Sequence, residues 1–174
     1  MSSALPSNFA GPVYLAADHA GFRMKEAVQN KLAEHGLKLF DLGAHEYVPD
    51  DDYTDAVKPI AEKIRVDTHA RALVFCGSGQ GEGIVLNRTK GIRAAVFYGP
   101  RGAVAPLEIE NTSPSIDGYD PVRLARAHND ANVLALGSRF MTEEEAVHAC
   151  LLFLGTPFSG TDRHARRVKE IDAT

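Results

Sequence analysis

The chain has 174 residues, 44% hydrophobic and 24% charged, a globular balance with enough length to bury a core rather than stay disordered. Nineteen basic against 23 acidic residues leave a net charge of −4, which argues against general nucleic-acid binding. No apolar run nears the ~20 residues of a membrane span. Length alone predicts one domain over 1–174. Residues 1–12 lack the basic and apolar segments of a signal peptide and are expected to form a disordered tail. Two cysteines, Cys76 and Cys150, are too few for a disulfide scaffold or a zinc ribbon, so the chain is expected in a reducing cytoplasm.

In chain order, Val13–Ala17 reads as a buried strand that ends at Asp18 and His19. Met24, Val28 and Leu32 then fall on one helical face, and Gly36 is placed to end that helix. Lys38–Leu42 predicts a second strand. Tyr53–Arg65 predicts a second helix with Val57, Ile60, Ala61 and Ile64 inward. Ala72–Cys76 predicts the third strand, followed by a glycine-rich loop that opens a helix running to Arg88. Ile92–Tyr98 and Asn132–Leu136 predict strands four and five. Thr142 and Glu145 have capping-box spacing for a helix through Leu154 closed by Gly155, and a last helix is expected from Asp162 to Ile171. Gly99–Pro121, with four prolines, fits neither pattern and reads as an insertion loop. Such a loop is either a tolerated surface segment or functional.

Strands alternating with helices predict a doubly wound, three-layer α/β/α domain with about five parallel strands, both sheet faces covered. Ligands of such sheets bind beyond the carboxyl ends of the strands, near a switch in strand order. This directs attention to Asp18–His19, to the loop after Cys76, and to the segment before Asn132.

Gly77-Ser78-Gly79-Gln80-Gly81-Glu82-Gly83 follows a strand and opens a helix. Glycines let several N–H groups converge there, which makes an anion site, most simply for phosphate. No Gly-Lys-Ser/Thr follows, so it is not a mononucleotide P-loop. Cys76 can be a thiol of lowered pKa at a helix N-terminus or a small buried hydrophobe. Glu82 either turns outward and complements the helix dipole or faces the anion site at an electrostatic cost that calls for a role. Asp18 and Asn129 can bind hydroxyls, and His19 and His128 can exchange protons near neutral pH. Tyr53 is either a helix-start residue or a pocket phenol. Arg163 and Arg167 share a helix face, as a phosphate clamp or a solvated basic patch. The histidines and aspartates match no common metal spacing.

Taken together, Asp18-His19-Ala20-Gly21-Phe22, Asp52-Tyr53, Cys76-Gly77-Ser78-Gly79-x-Gly81, Asn87, Gly91-Ile92-Arg93-Ala94, His128-Asn129-Asp130-Ala131-Asn132-Val133 and Arg163-His164 resemble the type B ribose-5-phosphate isomerase family, which includes galactose-6-phosphate isomerase. The resemblance implies a Rossmann-like fold and cofactor-free, metal-free aldose–ketose isomerisation of a phosphosugar. It also implies a homodimer or dimer of dimers in which one subunit completes its neighbour's site. By resemblance, His128 opens the sugar ring, Asp18 and Asn129 bind hydroxyls, and His19, Arg139, Arg163 and Arg167 bind phosphate. Backbone from Gly77 to Gly81 cradles the enediolate. One branch of the family uses a cysteine at position 76 as base and the other a glutamate at position 82. This chain has both, and the cost of a carboxylate facing phosphate favours Glu82. Ala17, Thr54 and Ala56 depart from the family's usual residues, and the segment between Phe97 and His128 is longer. The reaction this resemblance implies is ribose 5-phosphate to ribulose 5-phosphate through a cis-enediol; the alternatives are an isomerase of another four- to six-carbon sugar phosphate or a non-catalytic phosphosugar-binding protein.

Overall fold

The computed structural model describes residues 9–105, 107 and 117–173. Five strands, β1 (Pro12–Ala17), β2 (Lys38–Asp41), β3 (Arg71–Cys76), β4 (Ala94–Phe97) and β5 (Val133–Gly137), form one parallel sheet in the order β2-β1-β3-β5-β4. Among the described residues, five helices lie between the strands, α1 (Phe22–Ala33), α2 (Tyr53–Ala56), α3 (Lys58–Val66), α4 (Gln80–Asn87) and α5 (Asp120–Asn129), and two follow β5, α6 (Glu143–Gly155) and α7 (Asp162–Ala173). No helix of the described residues is long and apolar enough to cross a membrane.

Side chains alternate across each strand, and the alternation divides the core in two. Val13, Leu15, Leu73, Phe75, Leu134 and Leu136 face α1, α5 and α6. Ala16, Ala72, Val74, Cys76, Val133 and Ala135 face α3 and α4. This is the expected three-layer architecture.

Several local expectations shift. The predicted helix 53–65 is two helices meeting at Val57, with Pro59 in the first turn of α3, where its missing N–H costs nothing. Asp120 and Pro121, expected in the loop, open α5 instead. The proline again sits in a first turn, and Val122, Ala125 and Arg126 turn inward. The predicted capping box at Thr142 and Glu145 forms, with both reciprocal hydrogen bonds present. Of the expected tail, 1–8 lie outside the described residues. Phe9 packs on the core and under the Arg71 guanidinium, and Pro12 belongs to β1. Of the expected insertion, 106 and 108–116 lie outside the described residues. Its base is closed by the Arg101 N–H donating to the Gly118 carbonyl at 2.9 Å.

The chain leaves β1 for β2 on one side, then crosses back to β3 on the other. The order therefore switches between β1 and β3, whose carboxyl ends carry Asp18 and the glycine loop.

Candidate active site

The β1–β3 switch opens a cleft of about 360 Å³ lined by Asp18, His19, Ala20, Tyr53, Gly77, Ser78, Gly81, Glu82 and Arg139. Each element contributes for a local reason. The Asp18 carboxylate accepts from the Gly21 N–H at 2.8 Å, which turns the chain from β1 into α1. A Cβ on Gly21 would lie 1.9 Å from the Phe75 carbonyl oxygen, so only glycine lets this turn sit against β3. His19 is held at two points by Asp51, whose Oδ1 accepts from the His19 backbone N–H at 3.1 Å and contacts ring Nδ1 at 2.6 Å. That pairing occupies Nδ1, while His19 lines the cleft. Tyr53 is both things the sequence allowed: it opens α2 and its ring lies on the glycine loop, 2.6 Å from where a Gly81 Cβ would sit.

Gly79 adopts φ 76° at the N-terminus of α4, a left-handed conformation that favours glycine. It is buried against Val96 and Ala135, behind the cleft rather than lining it. Arg139 follows β5, and its guanidinium carbon lies 3.3 Å from where a Gly77 Cβ would sit. A cation, a histidine and the amino end of α4 thus converge on one opening, an arrangement suited to an anion.

Glu82 does not turn outward. It is 4% exposed, beside Asp18 and the Cys76 thiol. Burial, reinforced by the Asp18 charge, raises its pKa above the ordinary glutamate range. Cys76 is fully buried, and burial together with the charges of Glu82 and Asp18 holds its pKa well above normal. The sequence allowed a thiol acidified by the helix N-terminus; desolvation and two neighbouring carboxylates shift it the other way.

The remaining predicted residues do not reach this cleft. His128 and Asn129 end α5, and Asp130 turns the chain into the amino end of β5. Arg139, in the cleft, follows the carboxyl end of the same five-residue strand. At roughly 3.3 Å per residue the two groups sit about 15 Å apart, at opposite ends of the sheet. Selecting the segment before Asn132 by the carboxyl-end rule is thereby corrected, because a segment that precedes a parallel strand lies at its amino end. Arg163 is in the first turn of α7, next to His128: the His164 ring stacks on that of His128 at 4.1 Å, and Arg163 Nε donates to His164 Nε2 at 3.2 Å. Arg167 is one turn further along α7 and exposed.

Asp51 and His164 were not among the predicted ligands. Asp51 meets His19 across 32 positions, so no local spacing announces it. Among the described residues, no group of three or more His, Cys, Asp or Glu side chains is placed to hold a metal ion.

A doubly wound sheet with a cleft suited to an anion at its switch point, and a carboxylate buried inside that cleft, is the site architecture of an α/β enzyme. The model of the Ribose/Galactose Isomerase family matches residues 13–113 and 118–171, and the chain belongs to that family. The probable ribose-5-phosphate isomerase B of Mycoplasma pneumoniae is 35% identical over 162 residues, 93% of each chain. Ribose-5-phosphate isomerase B of Mycobacterium tuberculosis is 33% identical over 90% of this chain and 85% of that one. Among solved structures, a ribose 5-phosphate isomerase of Thermotoga maritima superposes with a TM-score of 0.77 at 35% identity, covering 94% of this chain and 99% of that one. Ribose-5-phosphate isomerase B of Mycoplasma genitalium, with bound ribulose 5-phosphate, gives 0.80 at 28% identity over 95% and 97%.

Proposed function

We propose that this protein interconverts ribose 5-phosphate and ribulose 5-phosphate through a cis-enediol, at sites shared between two copies of the chain. The observation that carries the reading is Glu82: a buried carboxylate of raised pKa inside an anion cleft, in a family of aldose–ketose isomerases. A general base works best with a pKa near the working pH, and burial moves Glu82 in that direction. Cys76, whose pKa burial and the neighbouring carboxylates move away from thiolate formation, is its neighbour rather than the base.

In this mechanism Glu82 takes the proton from C2 of the open-chain aldose. The C2–H electron pair becomes the C1–C2 double bond, and the C1 carbonyl oxygen takes up the charge. Backbone N–H groups of the Gly77–Gly81 loop, whose Gly77, Ser78 and Gly81 line the cleft, would stabilise that oxygen, where preorganised donors lower the barrier. A proton passes from the C2 hydroxyl to the C1 oxygen, and Glu82 returns its proton to C1 to give the ketose. Asp18 binds sugar hydroxyls, and His19 with Arg139 binds phosphate. His128, Asn129, Arg163 and Arg167, at the far end of the sheet, serve the cleft of a second copy: His128 opens the ring, Asn129 binds a hydroxyl and the arginines complete the phosphate site. A two-fold axis makes two such sites per dimer, and a dimer of dimers would repeat them. Two free, buried cysteines support a reducing compartment, the cytoplasm.

The test is complementation. Chains carrying Glu82→Gln and chains carrying His128→Asn are each expected to be inactive. Unfolded and refolded together, they should regain about a quarter of wild-type turnover, because half the dimers are mixed and each mixed dimer has one intact site. No recovery in a mixture that demonstrably forms mixed dimers would overturn the shared site. A turnover screen over four- to six-carbon aldose phosphates tests the sugar. The long segment leading into His128 favours a second reading, an isomerase for a different phosphosugar of that series. No turnover on any of them would leave a phosphosugar-binding protein.

A further inference from the structure

The amino end of the sheet holds a side-chain network that the mechanism above does not use. Arg93, just ahead of β4, has a side chain only 13% exposed. Its Nε donates to the carbonyls of Asn129 and Asp130, both at 3.1 Å. Its Nη2 donates to Asp130 Oδ2 at 3.0 Å, and its Nη1 donates to both oxygens of Asp172 at 2.9 and 3.0 Å. Asp130 adopts φ 46° and ψ 41°, a left-handed conformation uncommon outside glycine. Its other oxygen accepts from Arg126 Nη1 at 2.8 Å. The turn that ends His128-Asn129 is therefore gripped by two arginines.

Asp172 belongs to the last turn of α7. The first turn of that helix is already tied to α5 through the His164–His128 stack, and Ser159, in the segment just before the helix, contacts His164 Nδ1 through its hydroxyl and donates its N–H to the Ala127 carbonyl at 3.0 Å. Two attachments, one at each end, set the axis of α7 and with it the positions of Arg163 and Arg167.

We propose that Arg93 is a positioning residue with two separable arms: the Asp130 arm sets the His128–Asn129 turn, and the Asp172 arm sets the phosphate-binding face of α7. The proposal rests on the reading of His128, Arg163 and Arg167 given above. The fork geometry matters because the planar guanidinium presents fixed donors to two carboxylates at once, whereas a lysine ammonium is a single point charge.

The arms predict different kinetics. Asp130→Asn keeps a side chain that tolerates the left-handed turn while weakening the arginine grip. It should lower kcat on ribose 5-phosphate by about tenfold to a hundredfold, the cost of small misplacement of a catalytic group, with little change in KM. Asp172→Asn should raise KM by about fivefold, near the upper end for a partly exposed ion pair, with kcat within about twofold on the same basis. Arg93→Gln should show both defects, and Arg93→Lys should recover one arm better than the other. All are measured with the thermal midpoint and His128→Asn alongside. A network that is merely structural would lower the midpoint in every variant and move kcat and KM together, and that result overturns the proposal. A dead His128→Asn beside an Asp130→Asn of wild-type kcat also overturns it while leaving the reading of His128 intact. A fully active His128→Asn removes that reading and the Asp130 arm with it.

Discussion

The two ends of the parallel sheet are electrostatic opposites. At the carboxyl end Asp18, Glu82 and Cys76 crowd together, and burial pushes Glu82 and Cys76 toward their neutral forms. At the amino end Arg71, Arg93 and Arg126 crowd together. Burial and the neighbouring Arg126 pull Arg71 down to about 10, and burial lowers Arg126 as well. Arg93 and Arg126 share Asp130, while Arg71 is held by the Phe153 and Leu154 carbonyls at the end of α6, where the helix dipole is negative. The carboxyl end gathers ionisable groups around an open cleft, and the amino end locks arginines into carboxylates and carbonyls. In the shared-site reading, the His128 and Arg163 side of one copy meets the cleft of another, bringing further cations to the opening that Arg139 and His19 line.

The sharpest break of that contrast is Glu82→Gln, which should cost about 10²–10⁴-fold in kcat, the range for losing a general base. Cys76→Ala, at the same end, should retain most of the activity. If Cys76→Ala is instead the dead protein, the thiol is the base. Glu82→Gln also carries a stability signature. The folded pKa of Glu82 is raised above its unfolded value, so between the two values the folded protein holds a proton that the unfolded chain has released. Stability therefore falls as pH rises through that window. Gln removes this loss. The variant should melt higher than wild type at pH 7 to 8, with the advantage vanishing below about pH 4, near the unfolded glutamate value. Melting curves across pH measure it, and an unchanged or lower midpoint at pH 8 would place the charged Glu82 in a comfortable site.

At the opposite end, removal of both arginines by Arg163→Ala and Arg167→Ala should act on binding rather than on the proton. The expectation is a KM higher by about tenfold to a hundredfold, the value of charge-assisted hydrogen bonds to phosphate, with the acid limb of the pH–rate profile unmoved. Truncation before Asp162 should do the same, and an unchanged KM in a folded truncation would detach α7 from the site.

A smaller effect is expected at the rim of the cleft. Gly81→Ala would place a methyl 2.6 Å from the Tyr53 ring, so Tyr53 must swing away. A loss of several-fold in kcat/KM, within the usual range for displacing one positioning group, with an ordinary melting curve would identify Tyr53 as a wall of the pocket. Least disruptive is excision of the segment between Arg101 and Gly118, whose backbone hydrogen bond closes its base. Surface loops carry specificity on a rigid scaffold, so the ranking of sugar phosphates should change while the thermal midpoint stays within a few degrees. An unchanged ranking would make the insertion ornamental.

The strand–helix alternation, the capping box at Thr142 and the glycine loop behind β3 were legible in the sequence because each depends on residues within a turn or two of one another. The position of Asp18 and His19 at the carboxyl-end cleft was legible for the same reason, since the residue after an apolar strand has only one place to go. The helix at 120–129 was hidden by the prolines around it, although Asp120-Pro121 is a helix start and Val122, Ala125 and Arg126 have helical spacing. Other features have no local signature at all. They include the insertion of β5 between β3 and β4, Asp51 behind His19, and the Arg93 fork that joins Asn129, Asp130 and Asp172. Sequence placed a cysteine and a glutamate beside the same loop and could weigh them only by the cost of a wasted charge. The tertiary structure turned Glu82 inward and buried both groups next to Asp18, which raises both pKa values, because ionisation depends on the solvent and charges in three dimensions rather than on neighbours along the chain. It likewise set His128 a strand's length from that cleft, since the direction of β5, which only the assembled sheet defines, determines which end of the molecule a residue faces.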